Sequence, residues 1–373
     1  MRVRRRHELD WIRVFVVLHL IPYHISVFIG RFNMTGAERG AVSRAIIDLP
    51  AMFANPWHMH VMFLISGMNT AYSLRFRSIE GYVLNRLRRL LIPLLFSLLV
   101  ILPFHHFYWR FPPLSPMVEE SHYRNFIAFL IHDYPRLLWM RGTFFLGNLW
   151  FVYYLLVFSL LCLPLFAILR GERGRAFIGR LARACEPPGV IMLFGLPLAI
   201  GTALLAGLER GARGWNIVND LTRSFQYITC FVYGYLIGSE EGMWDAIGRH
   251  WKAAGIGLIA LNGVFAALRR PIPLPLRAFE TWLWLALVLG AGRALLGFEN
   301  RFLRYMREAF YPFYILHQPL MLAVGHYMRG WAAPLLVHAL AVGVSTLLGT
   351  WLFYELGVRR WNAVRFLFGL RPI

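Results

Sequence analysis

Residues 9–24 read Leu9-Asp10-Trp11-Ile12-Arg13-Val14-Phe15-Val16-Val17-Leu18-His19-Leu20-Ile21-Pro22-Tyr23-His24. The stretch is apolar enough to enter a bilayer, yet it carries four ionisable side chains, Asp10, Arg13, His19 and His24. A helix of about 20 mostly apolar residues spans the hydrocarbon. An ionisable group inside such a helix turns toward the bundle interior or toward water. Arg13 and His24 are eleven residues apart, which places them about 20° from one stripe and about 16 Å apart along the axis. Asp10 falls within about 60° of that stripe, and His19 lies about 140° from His24. One face of this helix is therefore polar from its edge to its middle. The competing reading has Arg13 snorkelling to the membrane edge and His24 serving as a helix–helix hydrogen-bonding group. For His19 that second role is the expected one.

The rest of the chain agrees with a membrane setting. Hydrophobic residues make up 58% of the 373 positions and charged residues 16%, against about 25% charged in a soluble domain. That balance excludes disorder and argues against a water-soluble enzyme. Apolar segments fall at 11–30, 56–74, 90–109, 145–169, 188–207, 221–238, 253–268, 278–297, 309–328 and 333–354. The expected fold is an all-α polytopic membrane protein of about ten transmembrane helices, one integral-membrane domain over 1–373. The first segment lacks a small-residue cleavage site and is read as a retained helix. The net charge of +20 comes almost wholly from arginine, Lys252 being the only lysine. With the N-terminus inside, 24 basic residues fall on inner segments and 14 on outer ones. The excess sets both termini in the cytoplasm, in a multi-pass inner (plasma) membrane protein, and is a topology signal rather than a nucleic-acid footprint. Cys162, Cys185 and Cys230 are far apart in sequence, so neither a disulfide framework nor a zinc site is expected. No internal repeat is visible. The connection 110–144, rich in Pro, aromatics and His, reads as an interfacial lid or a plain loop.

Other segments combine polar groups with apolar runs. Met62-Phe-Leu-Ile-Ser66-Gly67-Met68 places a small pair where helices approach closely, with packing favoured over a Ser nucleophile. Tyr82-Val-Leu-Asn-Arg86-Leu-Arg-Arg89 is a basic cluster leading into an apolar helix. It is either a phosphate-binding fork set or a positive-inside anchor. Gly147-Asn148-Leu-Trp150-Phe-Val-Tyr153 opens a span with aromatics of the interfacial-belt type. Tyr311-Pro-Phe-Tyr314-Ile-Leu-His317-Gln318-Pro319 brackets a His-Gln pair with two prolines, where a kink frees backbone groups. Glu355, after Tyr354, is placed to pair with Arg359 or Arg360. His58, His60, His105, His106, His122 and His132 make no metal site by spacing.

Taken together these motifs resemble acyltransferase family 3, the integral-membrane acyltransferases, over nearly the whole chain. Arg13 and His24 match the family's Arg-x10-His, and Phe63-Leu-Ile-Ser66-Gly67 matches its Phe-Leu-x-Ser-Gly. Arg86-Leu-Arg-Arg89 matches Arg-x-x-Arg, and Leu149-Trp150-Phe151-Val-Tyr153 matches the aromatic entrance. Tyr311 to His317 and Tyr354-Glu355 match its late motifs. The segments Leu90 to Ile101, Phe313 to Pro319 and Phe366 to Pro372 resemble the glucan biosynthesis protein C branch, associated with succinylation of periplasmic glucans. Many relatives have His where this chain has Asn148, so an acid–base role is not carried over to that position.

The resemblance implies an O-acyltransferase. It moves an acetyl or succinyl group from cytoplasmic acyl-CoA to a hydroxyl of a glycan or other envelope metabolite. His24 is the expected base, with Asp10 or Glu355 tuning a catalytic group and His317 held as a second candidate. Arg13, Arg86 and Arg89 are expected on the donor phosphates. Ser66, Asn148, Trp150, Tyr153 and Tyr314 are expected near the substrates. No permanently bound cofactor or metal is expected, and acyl-CoA is a donor substrate. The other expected partners are the acceptor and the lipid bilayer; self-association stays open and nucleic acid is not expected. The competing class is a transporter or flippase for a glycan or small acid, which polar membrane helices would also suit.

Overall fold

The computed structural model describes residues 5–28, 41–109, 125–140, 143–144, 146–208, 220–328 and 330–373. Within them the chain is helical, apart from a two-residue antiparallel ribbon pairing Trp139 with Phe144 and Met140 with Thr143. The helices are α1 His7–Phe28, α2 Ala41–Ala54, α3 His58–Phe76, α4 Ile79–Tyr108 and the short run 126–138 (α5). Next come α6 Gly147–Leu161, α7 Leu163–Arg170, α8 Glu172–Ala184, α9 Val190–Ala206 and α10 Leu221–Ser239. The chain ends with α11 Glu241–Ala267, α12 Leu274–Leu295, α13 Arg301–Tyr327, α14 Leu335–Val358 and α15 Asn362–Leu367. Of the expected lid, residues 110–124, 141 and 142 lie outside the described residues.

All ten apolar segments fall on helices, but only some of those helices satisfy the length and composition of a span. Four do so, α1, α4, α12 and α14, and a fifth is added if α6 and α7, bent by 48° at their junction, form one broken span. The expected ten is therefore not reached on these criteria. The reasons are local. α3 is 19 residues long but carries His58, His60, Ser66, Thr70 and Arg75. α9 is apolar but short. The segment read as 253–268 is only the second half of α11, a helix of 27 residues that starts at Glu241, where Trp244 and Ile247 are buried. Arg249 and Lys252 thus sit on a helix rather than in a loop, as do Arg86 and Arg89 on α4.

The chain divides into two compact units, each assembled from three stretches. The first comprises Met1–Val14, Asn55–Arg86 and Tyr154–Arg304; the second comprises Phe15–Ala54, Leu87–Tyr153 and Tyr305–Ile373.

In the first unit α3 and α10 pack backbone to backbone. A Cβ on Gly67 would lie 1.9 Å from the Phe231 carbonyl oxygen, and one on Gly234 would lie 1.8 Å from that of Leu64. Gly234 and Gly238 supply the small-xxx-small spacing that permits such an approach. The two helices run parallel: His60 Nε2 and Gln226 Oε1 are 3.2 Å apart near their starts, and Arg75 donates to the Gly238 carbonyl at 3.1 Å near their ends. α11 and α12 run antiparallel, pinned by Asn262 to Glu280 at 3.0 Å and by Arg293 to Asp245 at 2.5 Å.

In the second unit the latter half of α1 meets α2, α13 and α14 through Ile21, Ile25, Ile47, Met321, Leu322 and Val342. α4 contains two π-turns, Leu87–Leu91 and Ser97–Ile101, each ending two residues before a proline, Pro93 and Pro103. A wider turn relieves the ladder where proline brings no N–H. The tail is tied down by Arg365, whose Nη1 is 2.5 Å from Glu308 and whose Nε donates to the Arg371 carbonyl at 2.7 Å. Tyr354, fully buried, donates to the same Glu308 at 3.2 Å.

Candidate active site

In the second unit His24 and His317 come together. Their rings are stacked with centroids 5.3 Å apart, and the opposite contact of His24 is Phe28 at 5.4 Å. His24 is half-buried, whereas His317 is 1% exposed. His317 Nδ1 lies 3.1 Å from the Phe313 carbonyl oxygen. A carbonyl only accepts, so Nδ1 carries the proton and Nε2 holds the lone pair. That Nε2 is buried with no hydrogen-bond partner among the described residues. A basic nitrogen is thus presented beside a second imidazole in an apolar setting.

His105, set aside in the sequence as an isolated histidine, belongs to the same neighbourhood. It is fully buried, neither ring nitrogen has a hydrogen-bond partner among the described residues, and His24 and His317 are among its electrostatic neighbours. Its ring packs on Trp109 at 4.6 Å, and Trp109 packs on Phe28 at 5.3 Å. Gly147 makes room for it: at φ 50° its missing Cβ would stand 2.8 Å from His105 Cε1. The signal was present in sequence, because an ionisable pair inside an apolar run obeys the argument applied to His24.

Asn148 and Tyr314 form a reciprocal clamp beneath the histidines. The Asn148 amide donates to the carbonyls of Tyr314 at 3.1 Å and Ile315 at 3.0 Å. The Tyr314 hydroxyl donates back to the Asn148 carbonyl. Ile315 stands four residues before Pro319, so the proline leaves its carbonyl without the usual helical donor. The amide at position 148 supplies one instead. Trp150 and Tyr153 follow on the first turns of α6, partly buried, with the Trp150 ring 6.4 Å from Phe151. Glu355 stands elsewhere in this unit. It accepts from Tyr305 at 3.0 Å and from Arg359 Nη1 at 2.8 and 3.0 Å, which is the pairing with a tail arginine weighed for it.

The first unit holds Asp10, Arg13 and Arg86. Asp10 is paired with Arg13 at 3.2 Å and Arg5 at 3.1 Å. Arg86 lies close enough to act electrostatically on Arg13. It donates to Thr70 at 2.7 Å and covers the Tyr82 ring at 5.0 Å. Two guanidinium groups therefore pair with one carboxylate, and a third lies within electrostatic reach of Arg13. Arg13 Nη2 and Arg86 Nε are buried donors without a hydrogen-bond partner among the described residues. Arg89, one turn beyond Arg86, is exposed. Ser66 is apart from both clusters in its bonding: its hydroxyl donates to the Met62 carbonyl of its own helix at 2.7 Å. No group of three or more His, Cys, Asp or Glu side chains among the described residues is arranged to hold a metal ion.

A family profile described as an acyltransferase domain, that of acyltransferase family 3, matches residues 6–355. The chain belongs to this family. No curated protein and no solved structure matches it. Family and apolar helices together make it a multi-pass membrane acyltransferase. Both histidines of the stacked pair and both arginines of the buried cluster lie inside the matched stretch of this acyltransferase.

Proposed function

We propose that this acyltransferase transfers a short acyl group, acetyl or succinyl, from acyl-CoA to a hydroxyl of a glycan or other envelope metabolite. His24 is the base. It takes the proton of the acceptor hydroxyl as the oxygen attacks the thioester carbonyl, and collapse of the tetrahedral intermediate expels the CoA thiolate, which is then protonated. Such proton transfer contributes about 10²–10⁴-fold. The observation that carries the reading is the stacking of the His24 ring on that of His317, centroids 5.3 Å apart. His317, its proton fixed on the far nitrogen, is the neutral partner against which an imidazolium at His24 is accommodated. Arg13 and Arg86, each with a buried donor left over, are the candidates for the donor phosphates. Guanidinium forks suit phosphate.

The proposed topology is ten crossings with both termini cytoplasmic, in the inner membrane. The parallel course of α3 and α10 supports it, since second and sixth crossings run the same way in that scheme. The reaction is tested with purified protein and labelled acetyl-CoA or succinyl-CoA, following CoA thiol release with a glucan acceptor and with water alone. Thiol release that scales with protein and carries label to acceptor supports the enzyme. Movement of glycan across proteoliposomes with no acyl-CoA consumed would overturn it in favour of a transporter.

A further inference from the structure

The first unit carries a second charged site that the acyl-transfer reading does not use. α8 follows α7 after a single residue, Gly171. Because α6 and α7 together have the make-up of a broken span, α8 begins where the chain leaves the hydrocarbon. Its Gly174, Ile178 and Ala182 are buried, while Arg173, Arg175, Phe177, Arg180 and Arg183 are exposed. Its apolar residues pack on the protein, and its exposed basic face with Phe177, directly after a span, stands where lipid headgroups lie.

Against this helix is a cleft of about 450 Å³ whose floor includes Ala176 and Gly179 and whose charged groups are Arg180, Arg183, Glu186 and Glu240. None of these four side chains has an ion pair or hydrogen bond among the described residues. Two guanidinium groups and two carboxylates thus stand around one opening without neutralising each other. A ligand that satisfies all four carries a phosphate for the arginines and a cationic amine for the glutamates. A purely anionic phosphate leaves the carboxylates facing negative charge.

We infer that this cleft is a binding site for the headgroup of an amine-bearing, zwitterionic phospholipid, phosphatidylethanolamine in chemistry. The phosphodiester is held by Arg180 and Arg183, and the ammonium by Glu186 and Glu240. The acyl chains continue along the apolar surface of α7, where Leu165 and Ile168 are exposed.

The site offers a variant that fills it without disturbing the fold. A Cβ on Gly179 meets nothing within 4 Å, so Gly179→Leu extends into the opening, and leucine favours helix over glycine. Full-length protein in detergent is examined by native mass spectrometry with phosphatidylethanolamine, phosphatidylglycerol and soluble phosphoethanolamine as probes. The wild type retains phosphatidylethanolamine in preference to phosphatidylglycerol. Gly179→Leu lowers its retention by about tenfold with no fall in melting temperature. Arg180→Ala with Arg183→Ala lowers retention of both lipids, whereas Glu186→Gln with Glu240→Gln erases the preference. Unchanged retention in Gly179→Leu, or a wild type that does not distinguish the two lipids, overturns the proposal. So does equal competition by soluble phosphoethanolamine, which would make the cleft a site for a free phosphate.

Discussion

Removing the Asn148 amide is expected to cost stability that a second substitution restores. The amide makes two hydrogen bonds to buried backbone carbonyls, at 3.1 and 3.0 Å. One of those carbonyls, Ile315, has lost its helical donor to Pro319. Losing a net bond costs about 1 kcal/mol, and stranding a buried acceptor costs about 1–3 kcal/mol. Asn148→Ala should therefore destabilise by about 2–4 kcal/mol. In a Pro319→Ala background the residue at 319 brings its own N–H within helical reach of Ile315. There the same Asn148→Ala change should cost less, by at least about 1 kcal/mol, giving a coupling well above the scatter of independent sites. The assay is reversible unfolding of purified protein in mixed micelles for the four members of the cycle. Additivity within about 0.5 kcal/mol would refute the reasoning, because it would show that the amide does not stand in for the missing N–H.

Three further outcomes are expected. His24→Gln and His24→Ala should each lower acyl transfer by about 10²–10⁴-fold with donor binding nearly intact, while His19→Ala retains activity; a folded His24→Gln enzyme at wild-type rate would shift the base to His317. Arg86→Ala should weaken acyl-CoA binding and also lower the melting temperature through loss of its bond to Thr70; calorimetric titration with non-hydrolysable acyl-CoA reads the first and thermal unfolding the second. Gly67→Ala should destabilise by about 1–3 kcal/mol or more, since its Cβ would fall 1.9 Å from Phe231 O, and Ser66→Ala by less than about 1 kcal/mol, as read by thermal unfolding.

Much of the helical order was legible because apolar runs are long and local. Every segment picked by hydropathy lies on a helix, and the pairing of Glu355 with Arg359 was within reach of i, i+4 spacing. The span count was less legible. Hydropathy alone let α3 and α13 pass as ordinary spans, although both bring polar groups into the interior, such as His60 beside Gln226 and His317 beside His24. Those groups are affordable only because a partner helix meets them, and partner helices are not written in a single segment. Arg86, Arg249 and Lys252, counted between apolar segments in the sequence, each lie within a helix.

The candidate site shows a sharper division. Stripe geometry on α1 put His24 and Arg13 on one face without reference to any other segment. The roles of Asn148, Tyr314 and His105 needed contacts across more than 40 residues of sequence. Asn148 is expected near the substrates; in the structure its amide donates to the carbonyls of Tyr314 and Ile315, the latter left without its helical donor by Pro319. The proline removes one donor from the helix that carries His317, which runs unbroken from Arg301 to Tyr327, and the amide supplies a donor in its place. Asn148→Ala is then expected to change stability before it changes chemistry. His105 runs the opposite way. Nothing satisfies its ring nitrogens among the described residues, and Gly147 gives up a side chain to make room for it. Burial of an imidazole without partners is costly, and this ring lies within electrostatic reach of His24 and His317.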